Sequence, residues 1–287
     1  MPTHIPPWNT RSTVRLTRRG RAALVATGAV LAAAAVAVPL LTLGGGDREQ
    51  RPRTLVIPEG RRASQVYAAV DKALGLPAGS TAKSVPKVDL QLPAEAHGNP
   101  EGYLFPATYP IDGKTTPRSL LRFMVDTAHD KFDSGRNTAG ARPTASTAYR
   151  TVTVASIVQA EADRKADMGK VARVVLNRLQ RGMPLQMDST LNYALHRFAP
   201  VVSTADTKID SPYNSYRRMG LPPTPISNPG EDALRAARNP TPGDWLYFVT
   251  VKPGDTRFTG SYEEHRRNVA EFNRLRASGT PSPTAPR

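Results

Sequence analysis

Thr151-Val-Thr-Val-Ala-Ser-Ile-Val-Gln-Ala-Glu-Ala-Asp-Arg-Lys-Ala-Asp-Met-Gly-Lys-Val-Ala-Arg-Val-Val-Leu-Asn-Arg-Leu-Gln-Arg-Gly182 is the most ordered stretch of the chain. It reads as two helices, residues 151–162 and 168–181. Thr151 is the expected N-cap of the first and Gly182 the C-cap of the second. Val154, Ile157 and Val158 form an apolar stripe at helical spacing, and the next stripe position is Glu161. Val171, Val174, Val175 and Leu179 form the matching stripe of the second helix. A carboxyl on a face that packs inward is held toward its neutral form unless a cation sits beside it. Glu161 is therefore either a general acid or a core-edge partner of Arg164 or Arg173.

Outward from this block, residues 64–74 and 116–132 also have helical periodicity, the latter with Pro117 in its first turn. Thr54-Leu-Val-Ile-Pro-Glu-Gly60 reads as a short strand stopped by proline. Trp245-Leu-Tyr-Phe-Val-Thr-Val251 is a second strand, and residues 262–276 are a closing helix. Residues 233–237 form a further short helix. Residues 77–100, 134–149 and 203–230 read as loops, and residues 184–193 as a polar turn. Strands and helices without a βαβ rhythm indicate an α+β fold.

The chain has 287 residues, no cysteine, and a net charge of +15. A disulfide framework, a thiol nucleophile and a Cys-ligated metal are excluded. The five histidines, at 4, 97, 129, 196 and 265, show no ligand spacing, so no metal or other cofactor is expected. Arg11, Arg15, Arg18, Arg19 and Arg21 precede an uncharged Ala/Val/Leu stretch, residues 22–43. As a helix it spans roughly 30 Å, enough for a bilayer, and the arginines place its N-terminus in the cytoplasm. A cleaved signal peptide is the rival, with small residues near 35–37. The remaining excess charge is diffuse, and RNA-binding or zinc-finger signatures are absent, so nucleic acid is not the expected partner.

Other residues point to sugar chemistry. Asp188 and Glu101 are further carboxylates, and two carboxylates flanking a bond suit glycoside hydrolysis. Each also has a plainer reading, as a turn former or a salt-bridge partner. Tyr213, Asn214 and Tyr216 cluster in Ser211-Pro-Tyr-Asn-Ser-Tyr216, where rings and amides suit a glycan or a loop packed by its own tyrosines. Ser156 lacks a nucleophile elbow, and the glycines at 44–46 lack a Walker lysine.

A series of motifs carries a family resemblance. They are Ile57-Pro-Glu-Gly60, Glu101-Gly-Tyr-Leu-Phe-Pro106, Ala155-Ser-Ile-Val158 with Glu161, Asn177-Arg-Leu179, Gly182-Met183, Leu185-Gln186, Asp188-Ser-Thr190, Ser211-Pro-Tyr-Asn214, Tyr216 and Gly220-Leu-Pro-Pro223. Tyr247-Phe-Val249 and the ending Phe258…His265…Val269 continue it. In this order, over residues 54–276, the chain resembles the endolytic murein transglycosylase family, the YceG-like (MltG) proteins. The resemblance implies residues 1–21 cytoplasmic, 22–43 a membrane anchor and 44–53 a linker. It further implies a LysM-like module over 54–99, an α+β catalytic domain over 100–276 and a tail over 277–287.

The implied activity is cleavage of MurNAc–GlcNAc bonds in nascent peptidoglycan, leaving 1,6-anhydroMurNAc ends. Glu161 matches the family's catalytic glutamate. Glu101, Tyr103, Gln186, Asp188, Thr190, Tyr213, Asn214 and Tyr216 are the implied glycan-binding residues. The partners would be glycan strands and peptidoglycan synthases, at the outer face of the plasma membrane. Two departures stand out: Gln159 occupies a position that is often acidic, and only one Ile-Pro-Glu-Gly unit is present. A non-catalytic wall-binding scaffold is the alternative they leave open.

Overall fold

The computed structural model describes residues 53–134, 145–198 and 202–279. The basic segment, the apolar stretch 22–43 and most of the tail lie outside them. Among the described residues no helix is long and apolar enough to cross a membrane.

Strand β1 (Arg53–Val56) pairs antiparallel with β2 (Thr108–Ile111), with Leu55 opposite Tyr109. Leu55, Tyr109 and Ile111 turn inward while Thr54 and Val56 face out, the alternation expected of a half-buried ribbon. Pro110 sits in β2 because a two-stranded ribbon leaves edge positions that need no amide. Pro106 and Pro110 disfavour helix here, and the strand exists through its pairing with β1. This pairing crosses the boundary expected between residues 99 and 100, and Ile57, Val66 and Val70 share one core with Tyr103, Leu104 and Ile157.

Helix α1 (Ala63–Leu74) ends at Gly75, whose φ of 67° closes the last turn. Buried Asp71 accepts bonds from the Gly79 amide (2.7 Å), the Thr81 amide (2.8 Å) and the Thr81 hydroxyl (2.6 Å). Those bonds start helix α2 (Ser80–Ser84) in a segment whose prolines read as loop. Helix α3 (Pro117–Ser134) begins at its proline and buries Leu120, Leu121, Met124, Val125 and Ala128, the face its spacing set.

Helix α4 (Ala145–Glu161) starts six residues earlier than its sequence reads. Thr151 is not a cap. Its hydroxyl bonds the Thr147 carbonyl (2.9 Å), and that of Thr153 bonds the Tyr149 carbonyl (2.9 Å), so both are accommodated inside the helix. Residues 152–159 are all buried, so α4 is the central helix, wrapped on every face. Around it pack α5 (Met168–Gln180), α6 (Asp188–Ala194) and α7 (Glu231–Arg238). Gly102 lets the chain pass close by: its φ is +87°, and a Cβ there would stand 2.6 Å from Pro225 and 3.0 Å from Val152.

The polar turn expected over 184–193 is instead a loop followed by α6, with Asp188 in its first turn. The C-terminal part is a hairpin, β3 (Tyr247–Lys252) with β4 (Asp255–Thr259), covered by α8 (Tyr262–Ala277). Arg257 on β4 grips Glu271 on α8 through two parallel bonds, 2.7 and 3.0 Å. The fold is mixed α+β.

Candidate active site

Glu161 is the last residue of α4, half-buried, where the central helix comes out of the core. Its Oε1 accepts the Ser189 amide at 3.1 Å. The Ser189 hydroxyl is buried close to the same carboxyl and makes no well-formed hydrogen bond among the described residues. Desolvation pushes the Glu161 pKa up, and nearby Asp188 adds to the rise; the Ser189 amide and hydroxyl pull the other way without cancelling it. The C-terminal end of α4 also disfavours a negative charge. Neither basic partner open to Glu161 in the sequence is engaged. Arg164 bonds Asp167 (3.1 Å), and Arg173 bonds the carbonyl of Thr241 (3.0 Å). What results is a carboxyl held toward its protonated form, with a fringe open to solvent.

The partners of Glu161 come from one loop-helix unit. Gln186, Asp188 and Ser189 lie at and before the start of α6. Tyr216 donates its hydroxyl to Asp188 Oδ1 at 2.5 Å, and burial together with Asp188 pushes its own pKa up. Ser215 ties this loop to α6: its carbonyl accepts the Gln186 amide (3.0 Å) and its hydroxyl the Met187 amide (2.9 Å). Glu161, Gln186, Asp188 and Tyr216 are thus brought together. Among the described residues no group of three or more His, Asp or Glu side chains is gathered to hold a metal.

Of five further residues expected to touch a glycan, four are buried with internal partners and Tyr213 is half-buried. Thr190 is fully buried and bonds the Met187 carbonyl (2.7 Å) and the Ser215 hydroxyl (2.8 Å). Asn214 is fully buried, donating to the carbonyls of Thr207 (3.0 Å) and Ile209 (2.8 Å) and accepting the Tyr216 amide (3.0 Å). Tyr103 is a core ring, edge-on to Phe132 and stacked on Tyr149. Tyr213 is half-buried, packed 4.9 Å from Tyr193 and sharing a hydrogen bond with Thr224 (2.9 Å). For the first three, full burial with internal partners leaves no face for a ligand.

Glu101 is the fifth. It is 3% exposed, and its carboxyl accepts the Ala63 amide at the start of α1 (2.9 Å), the Tyr193 hydroxyl on α6 (3.2 Å) and the Asn228 amide (3.4 Å). Burial raises its pKa to about 7, against those bonds and the charge of Arg62. Arg62 in turn lies under the Phe198 ring at 4.1 Å.

Gln159 does not face Glu161. Two positions apart, they lie on different sides of α4, and the Gln159 side chain accepts the Gly230 amide at 3.0 Å. The exchange of acid for amide therefore acts on the loop before α7 and not on the Glu161 carboxyl.

Three residues escaped the sequence. Ser189 stood inside a quoted motif as spacer. Asn228 joins Leu104, Arg61 and Glu101, and an Asn-Pro-Gly turn gives no hint of that. Arg178 holds the loop before Asp188, and here a signal existed: Val171, Val174, Val175 and Arg178 repeat the spacing of Val154, Ile157, Val158 and Glu161.

Fold and site together define an α+β protein built around one half-buried carboxyl, raised in pKa and steadied by a serine. Residues 32–271 match the YceG-like family, and the chain belongs to that family. It is similar to the endolytic murein transglycosylase of Bacillus subtilis (strain 168), 38% identical over 173 residues, covering 60% of this chain and 48% of that one. It is also similar to that of Streptococcus pneumoniae serotype 2 (strain D39 / NCTC 7466), 35% identical over 260 residues, covering 80% of this chain and 47% of that one. The chain spans about half the length of these relatives. The crystal structure of a YceG-like protein from Listeria monocytogenes superposes with a TM-score of 0.62 at 29% identity, over 75% of each chain.

Proposed function

We propose that this protein is an endolytic lytic transglycosylase that cuts MurNAc–GlcNAc bonds within peptidoglycan strands. The observation that carries the reading is Glu161: a carboxyl with raised pKa, no basic partner among the described residues, and an open edge. The names of its relatives support the same reaction class.

Protonated Glu161 donates to the glycosidic oxygen, and the C1–O bond breaks as positive charge grows at MurNAc C1. The new carboxylate takes the proton from the C6 hydroxyl, whose oxygen closes on C1 to form the 1,6-anhydro ring. Atoms and protons balance without water, so no second catalytic carboxyl is required, unlike the paired-acid hydrolases. Asp188, tied to Tyr216 and near Glu161, is the residue proposed to favour the developing cation. Holding the C6 hydroxyl near C1 makes the attack intramolecular, which is worth up to roughly 7–11 kcal/mol of barrier. Gln186 and the open edges of Asp188 and Tyr216 are the residues proposed to hold the glycan.

In this reading residues 22–43 anchor the chain in the plasma membrane, with the arginines inside and the catalytic part outside. Residues 54–99 act as a LysM-like wall-binding module, and peptidoglycan synthases supply the nascent strand. Digestion of purified peptidoglycan, read by mass spectrometry, tests the activity. Anhydro ends support it, reducing MurNAc ends indicate a hydrolase, and binding without products indicates a scaffold.

A further inference from the structure

Arg178 is 6% exposed and sits on the inward stripe of α5. A guanidinium is costly to bury, and among the described residues no carboxylate lies within ion-pair distance of this one. Its bonds go to neutral oxygens. Nε donates to the Leu246 carbonyl at 2.7 Å. Nη1 reaches the carbonyls of Pro184 (3.0 Å) and Leu185 (2.9 Å) and the side-chain oxygen of Gln186 (3.1 Å). The Tyr247 ring covers it at 5.1 Å. The three Nη1 bonds fix the approach to Asp188, while the contacts with Leu246 and Tyr247 tie the guanidinium to the start of β3.

Gln186 is held in an unusual way. Its φ is +53°, a left-handed backbone that a side-chain-bearing residue seldom adopts, and its amide is tied to the Ser215 carbonyl. Its side chain is exposed apart from the bond to Arg178. A guanidinium donates and never accepts, so the Gln186 oxygen must face inward. The side-chain nitrogen therefore faces out, with no partner among the described residues. Three residues further on, Ser189 holds Glu161.

We propose that Arg178 is a positioning residue that fixes Gln186 as a hydrogen-bond donor to the acetamido carbonyl oxygen of a sugar bound beside Glu161. A hydroxyl can turn to donate or accept, so a fixed donor reads it poorly. A carbonyl only accepts, and in an N-acetylated strand the acetamido group is the carbonyl that both sugars carry. A free ammonium in its place meets a donor with a donor. The inference rests on the glycan-cleaving reading.

The test uses the full chain on soluble N-acetylated glycan strands and on the same strands after chemical de-N-acetylation. Wild-type protein that leaves no anhydro ends on acetylated strands contradicts the glycan-cleaving reading itself. Given cleavage, kcat/KM on acetylated strands is expected to exceed that on de-N-acetylated strands by roughly tenfold or more. Gln186→Glu keeps an acceptor for Arg178 and gives it a counter-charge, so its melting temperature should equal or exceed that of wild type. Its outward oxygen repels the acetamido carbonyl and attracts an ammonium, so the preference should vanish or invert, mainly through KM. Gln186→Met, which fills the space with no donor, should lose the preference without inverting it. Arg178→Lys keeps the charge but not the fork, and should lose it as well. A wild-type enzyme with no preference, or a Gln186→Glu enzyme that retains the wild-type preference, overturns the proposal.

Discussion

Glu101 and Glu161 are two buried-side carboxyls at opposite ends of one short helix, and they are used in opposite ways. Tyr193, in the last turn of α6, donates to Glu101; Ser189, in its first, donates to Glu161. Burial raises the pKa of both. What separates them is how many partners each has. Glu101 is closed off, with bonds from α1, α6 and Asn228. Glu161 has the Ser189 amide and an edge left open. A raised pKa alone does not mark an acid catalyst; what sets Glu161 apart is unused hydrogen-bonding capacity facing solvent.

The contrast breaks most directly at Glu161. Glu161→Gln should lower turnover on peptidoglycan by about 100-fold or more, with melting little changed. Wild-type activity should also fall as pH rises through the Glu161 pKa, since the protonated form is the donor. Glu101→Ala should show the reverse pattern. Three donors lose their acceptor and Arg62 its nearby charge, so urea unfolding should report a loss of about 3–4 kcal/mol.

A subtler difference is the pH dependence of stability. Glu101 has a folded pKa of about 7 against an ordinary 4.5. The native state therefore holds more protons between those values. Its stability is greatest below the ordinary value and declines up to pH 7, by as much as about 3 kcal/mol. Glu101→Gln cannot titrate and should flatten that decline, measured by urea unfolding at pH 5 and pH 8. Smallest is Tyr216→Phe, which frees Asp188 from its hydrogen bond. It should cost about tenfold in turnover and about 1 kcal/mol or less in stability.

The longer helices were legible because they carry their own period, whereas the short α2 and α6 read as loop and turn. The spacing of Val154, Ile157, Val158 and Glu161 both placed α4 and marked its carboxyl. The start of α4 was not, because Ala145 to Arg150 lack an apolar stripe and gain their helix from the packing of Tyr149. Strands β2 and β4 are four and five residues long and exist through their partners, a non-local fact. Glu101, Thr190 and Asn214 read as ligand-binding because polar residues in motifs invite that reading. Their burial comes from contacts with residues as distant in sequence as Asn228. Arg178 was legible in principle, since it holds on α5 the stripe position that Glu161 holds on α4.

The account rests most heavily on Glu161 as the proton donor in a water-free cleavage. Digesting peptidoglycan with wild-type protein and with Glu161→Gln, and weighing the products by mass spectrometry, tests it in one measurement. Wild-type protein should leave 1,6-anhydroMurNAc ends, and the variant nearly none. Reducing MurNAc ends, or undiminished anhydro products from Glu161→Gln, would contradict it.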